Sequence, residues 1–74
     1  MLFSSKSFEK EITVEGMHCG HCAKRVEEGL AKIKGVKKVT VDLESKKVKI
    51  LSKVELDNQV ILTTVENLGY VAKI

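Results

Sequence analysis

The sequence predicts an α+β fold of order β-α-β-β-α-β, a four-stranded antiparallel sheet with both helices on one face. Three observations predict it. Apolar residues alternate in "FEKEITV", "KKVTVDL" and "KVKIL". They recur at helical spacing in two intervening stretches, and a glycine follows each of these, Gly35 and Gly69. With 74 residues the chain has room for one domain and a small core.

Residues 1–7 lack periodicity and read as a flexible N-terminal leader, leaving 8–74 as the domain. In the first strand Phe8, Ile12 and Val14 share one side, with Lys10 as the exception. A helix follows from about Gly20 or His21 to Lys34, with Ala23, Val26, Leu30 and Ile33 on its apolar side and Gly35 as its C′ residue. Gly29 inside it costs up to about 1 kcal/mol relative to alanine, which close packing against the sheet would offset. Val39, Val41 and Leu43 then alternate inward, as do Val48 and Ile50, and the polar "ESK" between them makes an antiparallel hairpin. The second helix starts at Leu56 or Asp57, a suitable N-cap, buries Ile61, Val65 and Leu68, and ends at Gly69. "YVAKI" supplies the last strand. Two βαβ halves arranged in this way give a ferredoxin-like sandwich.

Composition removes several classes of function. The longest strongly apolar run, Val60-Ile61-Leu62, is far short of the roughly 20 residues of a spanning helix, and the N-terminus lacks the apolar region of a secretory signal. A cytoplasmic protein, complete from Met1 and not embedded in a membrane, is expected. Thirteen basic and ten acidic residues give a net charge of +3, too little to argue for nucleic acid, and one Tyr, two Phe and no Trp leave few platforms for base stacking.

Chemistry is concentrated in "EGMHCGHC", residues 15–22, which holds both cysteines and both histidines of the chain. Two cysteines two residues apart cannot staple distant parts of a fold, so their value is local. They stand where a strand ends and a helix begins, and a helix start offers unpaired N–H groups and partial positive charge that stabilise thiolates. Cys22, in the first turn, feels this most; Cys19 is on the loop. Paired thiolates are soft donors suited to Cu(I), Zn(II) or another soft ion. Structural zinc asks for four ligands, and no distant Cys or His is available to complete them, whereas Cu(I) accepts two or three sulfurs. A rival is the dithiol "CGHC" of disulfide oxidoreductases. A thioredoxin-like domain brings about 100 residues, a Trp before the motif and a cis-Pro beside it, and this chain has neither Trp nor Pro. A c-type haem site would need His after Cys22, where Ala23 stands.

"GMHCGHC" between strand and helix, with "LGY" before the last strand, resembles the heavy-metal-associated domain, in particular small bacterial copper chaperones of the CopZ type. The likeness runs from about Phe8 to Ile74. It implies that Cys19 and Cys22 bind Cu(I), that Met17 points into the core and braces the loop, and that Tyr70 lies beside the loop. His21 resembles the copper members, since alanine is more usual there in mercury and in zinc or cadmium relatives; Zn(II) and Hg(II) are the alternative cargoes. His18 departs from the usual small polar residue and is expected to face water, with an imidazole ligand as the alternative. His21 and Gly20 complete the loop around the sulfurs.

The implied partner is a copper-transporting P-type ATPase, met at its metal-binding domain or its transport site. Lys24, Arg25, Lys32 and Lys34 are expected on or near the first helix, beside the cysteine pair. By composition they are a solvated face; the resemblance adds docking, with Lys24 and Arg25 as the residues expected to orient it. The expected activity is thus carriage of one ion and its transfer by ligand exchange, without enzymatic catalysis. The protein would be a monomer, with a copper-bridged dimer or a domain excised from such an ATPase as alternatives.

Overall fold

The computed structural model describes residues 7–74, so the expected leader lies, apart from Ser7, outside the described residues. Its elements are β1 (Phe8–Glu15), α1 (Gly20–Ala31), β2 (Val36–Asp42), β3 (Lys47–Ser52), α2 (Asn58–Asn67) and β4 (Val71–Lys73). The sheet has the order β2-β3-β1-β4 with every neighbouring pair antiparallel, the ferredoxin-like arrangement.

Register explains the core. Ile12 pairs with Val48, which pairs with Val41, while Ile50 pairs with both Lys10 and Val39, so rows of side chains cross the sheet towards the helices. Ile12, Val14, Val39, Val48 and Ile50 meet Val26 and Leu30 of α1 and Ile61 and Val65 of α2 in one buried cluster. Lys10 occupies a core-facing position of β1, and its long stem carries the ammonium out to Asn58 Oδ1, 2.6 Å away at the start of α2. Ser52 continues the inward positions of β3; its hydroxyl donates to the Val54 carbonyl at 2.6 Å, which satisfies it in the core.

Four expectations need correction. First, α1 ends at Ala31, three residues before Lys34. The Lys32 and Ile33 amides bond to the carbonyls of Gly29 (3.3 Å) and Leu30 (3.1 Å), tightening the chain into i→i−3 geometry. Such a turn keeps residues three apart on one face, so Ile33 continues the apolar pattern beyond the helix. Gly35 belongs instead to a separate turn closed by Val36 N–H to Ile33 O at 3.1 Å.

Second, Leu43 does not face inward. The hairpin loop spans 43–46, where the Asp42 carboxylate accepts the Glu44 amide at 3.0 Å and Lys46 takes φ 61°, leaving Leu43 39% exposed. Third, Gly29 faces the other helix and not the sheet: a Cβ there would lie 2.6 Å from Leu68 Cδ1. Fourth, Lys32 and Lys34 lie past the C-terminal end of α1, about 18 Å along the axis from the cysteine end for twelve residues of rise.

The second helix is closed at both ends as expected. Asp57 caps it, its carboxylate accepting the Gln59 amide at 2.9 Å. Leu68, expected in the buried stripe, is instead the half-buried C-cap just past α2; after it Gly69 N–H bonds to Glu66 O (2.9 Å) and Tyr70 N–H to Val65 O (3.2 Å), the paired bonds of a Schellman motif. Gly69 sits at C′ with φ 97°, which costs a glycine nothing. This turn places Tyr70 at the head of β4, and β4 pairs with the last residues of β1, just before the cysteine loop.

Candidate metal centre

Strand β1 ends at Glu15, and the chain turns at Gly16 (φ 102°) into Met17, His18 and Cys19. Met17 is buried, 6% exposed, as part of the core cluster, so the loop is anchored from within by an apolar side chain. Cys19 is the N-cap of α1: its backbone is extended, its carbonyl accepts Ala23 N–H at 3.2 Å, and its side chain makes no capping bond. Gly20, His21 and Cys22 form the first turn. His18, Cys19 and His21 are exposed, and Cys22 is half-buried against the core. Gly20 has open space where a Cβ would stand, so no close contact demands glycine there.

Both cysteines are free, and the Cys19 thiol donates to Cys22 Sγ across 3.7 Å. With metal–sulfur bonds of about 2.3 Å, sulfurs 3.7 Å apart both reach one ion at an angle of roughly 107°. A linear arrangement would need them about 4.6 Å apart, an opening of the size that side-chain rotation at an exposed Cys19 supplies. Among the described residues no group of three or more His, Cys, Asp or Glu is gathered for a metal ion, so neither histidine is brought in as a third donor.

Electrostatics favour a thiolate at Cys22, whose pKa is lowered from 9.0 to about 7. The Tyr70 hydroxyl is the largest cause, followed by the His18 main-chain amide and the Cys19 side chain, with burial opposing them. The Tyr70 phenol is raised in return, first by Cys22 and then by burial, while Arg25 opposes the shift. The tyrosine ring rests on the loop, for a Cβ at Gly16 would lie 3.2 Å from Tyr70 Cδ1.

Arg25, one turn after Cys22, thus acts on the tyrosine through its charge, a link that sequence spacing along one helix does not reveal. Lys24 and Arg25 are exposed and line a shallow depression with His21 and Glu28. A larger depression, lined by Lys10, Glu55, Leu56, Asp57 and Asn58, lies near the start of β1, at the end of the sheet remote from the cysteines.

Two neighbouring free thiols at a helix start, on a βαββαβ frame, define a metal-binding class of protein. The model of the heavy-metal-associated domain matches residues 11–71, and the chain belongs to that family. It is 36% identical over 67 residues to the copper chaperone CopZ of Enterococcus hirae, covering 89% of this chain and 97% of that one. It is 35% identical over 65 residues to a copper-exporting P-type ATPase of Staphylococcus aureus, covering 86% of this chain but 8% of the ATPase. Among solved structures, a CopZ metallochaperone superposes with a TM-score of 0.83 at 31% identity, over 89% of this chain and all (100%) of that one. No helix among the described residues is long and apolar enough to cross a membrane.

Proposed function

We propose that this chain is a cytoplasmic copper chaperone that holds one Cu(I) between Cys19 and Cys22 and passes it to a copper-transporting P-type ATPase. The observation that carries the reading is the pair of free sulfurs 3.7 Å apart at the head of α1. A soft, two-donor site suits Cu(I), which stays open to a further sulfur, and it falls short of the four ligands of structural zinc. The copper-chaperone relatives support the same cargo.

Transfer follows from the open coordination. A partner thiolate joins the ion as a third ligand, then one of the two original sulfurs leaves; no substrate bond is made or broken, so the role is carriage and not enzymatic catalysis. Met17 holds the loop from the core, and the Tyr70 hydroxyl and loop amides stabilise Cys22 as a thiolate when the ion departs. Lys24 and Arg25, exposed beside the site, orient docking with the ATPase. Its relatives include a copper-exporting ATPase over a domain-sized stretch, which favours a second reading in which the same unit serves within such an ATPase.

Anaerobic competition of the reduced protein for Cu(I) and Zn(II) against a chromophoric chelator tests the proposal. Cu(I) is expected to bind far more tightly, and Cys22→Ser to abolish it. Zinc competing on equal terms would replace the cargo, as would preferred capture of Hg(II); tight Cu(I) binding retained by Cys22→Ser would remove the two-thiolate site.

A further inference from the structure

The turn carrying Tyr70 is wedged against α1, and we propose that Leu68, seated on Gly29, is a positioning residue that holds the Tyr70 ring against the cysteine loop. Only its consequence for a bound ion rests on the proposed function; the placement does not. A Cβ at Gly29 would lie 2.6 Å from Leu68 Cδ1, 3.3 Å from Cδ2 and 3.4 Å from Cγ. The whole isopropyl group therefore straddles bare helix backbone, and moving one methyl would not clear a new side chain.

Leu68 is also the C-cap of α2, two residues before the tyrosine. The Schellman bonds, Gly69 N–H to Glu66 O at 2.9 Å and Tyr70 N–H to Val65 O at 3.2 Å, make Leu68-Gly69-Tyr70 a stiff unit, so a shift at Leu68 is passed to the tyrosine. The Tyr70 ring has its other support on Gly16, where a Cβ would come within 3.2 Å of Cδ1. Cys22 and Gly29 stand seven residues apart on α1, on one face of the helix. One face of α1 thus carries both Cys22 and the notch that Leu68 fills. A residue that weakens the helix interior is explained by the approach it permits.

Tyr70 is the chain's single tyrosine and there is no tryptophan, so intrinsic emission in the near ultraviolet reports on this site directly. In the reduced protein without metal, Gly29→Ala crowds the notch and Leu68→Ala vacates it. Each is expected to raise tyrosine emission by moving the ring off the cysteine loop. Leu68→Met, which can still fill the notch, should retain the parent emission. With Cu(I) bound, Gly29→Ala and Tyr70→Phe should each speed loss of the ion to a chelator several-fold, and Gly29→Ala should add nothing in a Tyr70→Phe background.

Parent-like emission in a folded Leu68→Ala or Gly29→Ala protein would overturn the proposal. So would an acceleration by Gly29→Ala that persists undiminished without the Tyr70 hydroxyl. Failure of the parent to bind Cu(I) would defeat the proposed function, while the emission of the apo variants would still decide the positioning.

Discussion

The two helices begin in opposite ways. Asp57 caps α2 with a carboxylate that accepts the Gln59 amide, whereas Cys19 occupies the same place on α1 and makes no side-chain cap. Neither helix has an acidic residue in its first turn. An occupied cap satisfies an orphan amide and stabilises the fold; a vacant one leaves amides and partial positive charge to stabilise a sulfur anion. One helix start is used for stability, and the other gives some up at the place where chemistry is concentrated.

The largest break in this contrast is Cys22→Ser. Cu(I) affinity should fall by more than about a hundredfold, beyond the usual cost of removing an outer-shell partner, while apo stability changes by less than about 1 kcal/mol. Chelator competition and chemical denaturation read the two quantities. Asp57→Ala should do the converse, costing about 1 kcal/mol and lowering the melting temperature by about 4–8 °C for a domain of this size, with Cu(I) affinity unchanged.

A sharper version gives α1 the cap it lacks. Cys19→Asp should raise apo stability by about 0.5–1 kcal/mol and lose tight Cu(I) binding, so a melting curve and a titration would move in opposite directions.

The smallest effect is on pH. Because the Cys22 thiol is lowered from 9.0 to about 7, its alkylation rate should inflect near pH 7, and Tyr70→Phe should move the inflection upward. A depressed thiol contributes stability fully above its unfolded value and loses it as pH falls through the folded one. Apo stability should therefore rise between about pH 7 and about pH 9 relative to Cys22→Ser, and less so in Tyr70→Phe; denaturation at both pH values checks it.

Strand alternation, the Asp57 cap and the Gly69 closure were legible because each is a local rule with its own sequence mark. The end of α1 was not, because Ile33 keeps its apolar face in either helical geometry. Likewise the hairpin loop drew in Leu43, whose hydrophobicity matched the strand pattern while Asp42 was already turning the chain. At the site, the cysteine spacing and its place between strand and helix were readable. The roles of Gly16, Gly29 and Leu68 were not, since each depends on contact between segments distant in sequence. Arg25 carried a signal for docking by its charge, but its electrostatic effect on Tyr70 depends on where β4 begins.

X-ray absorption at the copper edge of the Cu(I)-loaded protein tests the two-thiolate site most directly. The account predicts two sulfur neighbours from Cys19 and Cys22, rising to three when an exogenous thiol is added, with no imidazole scattering. Nitrogen neighbours that vanish in His18→Ala or His21→Ala would contradict it.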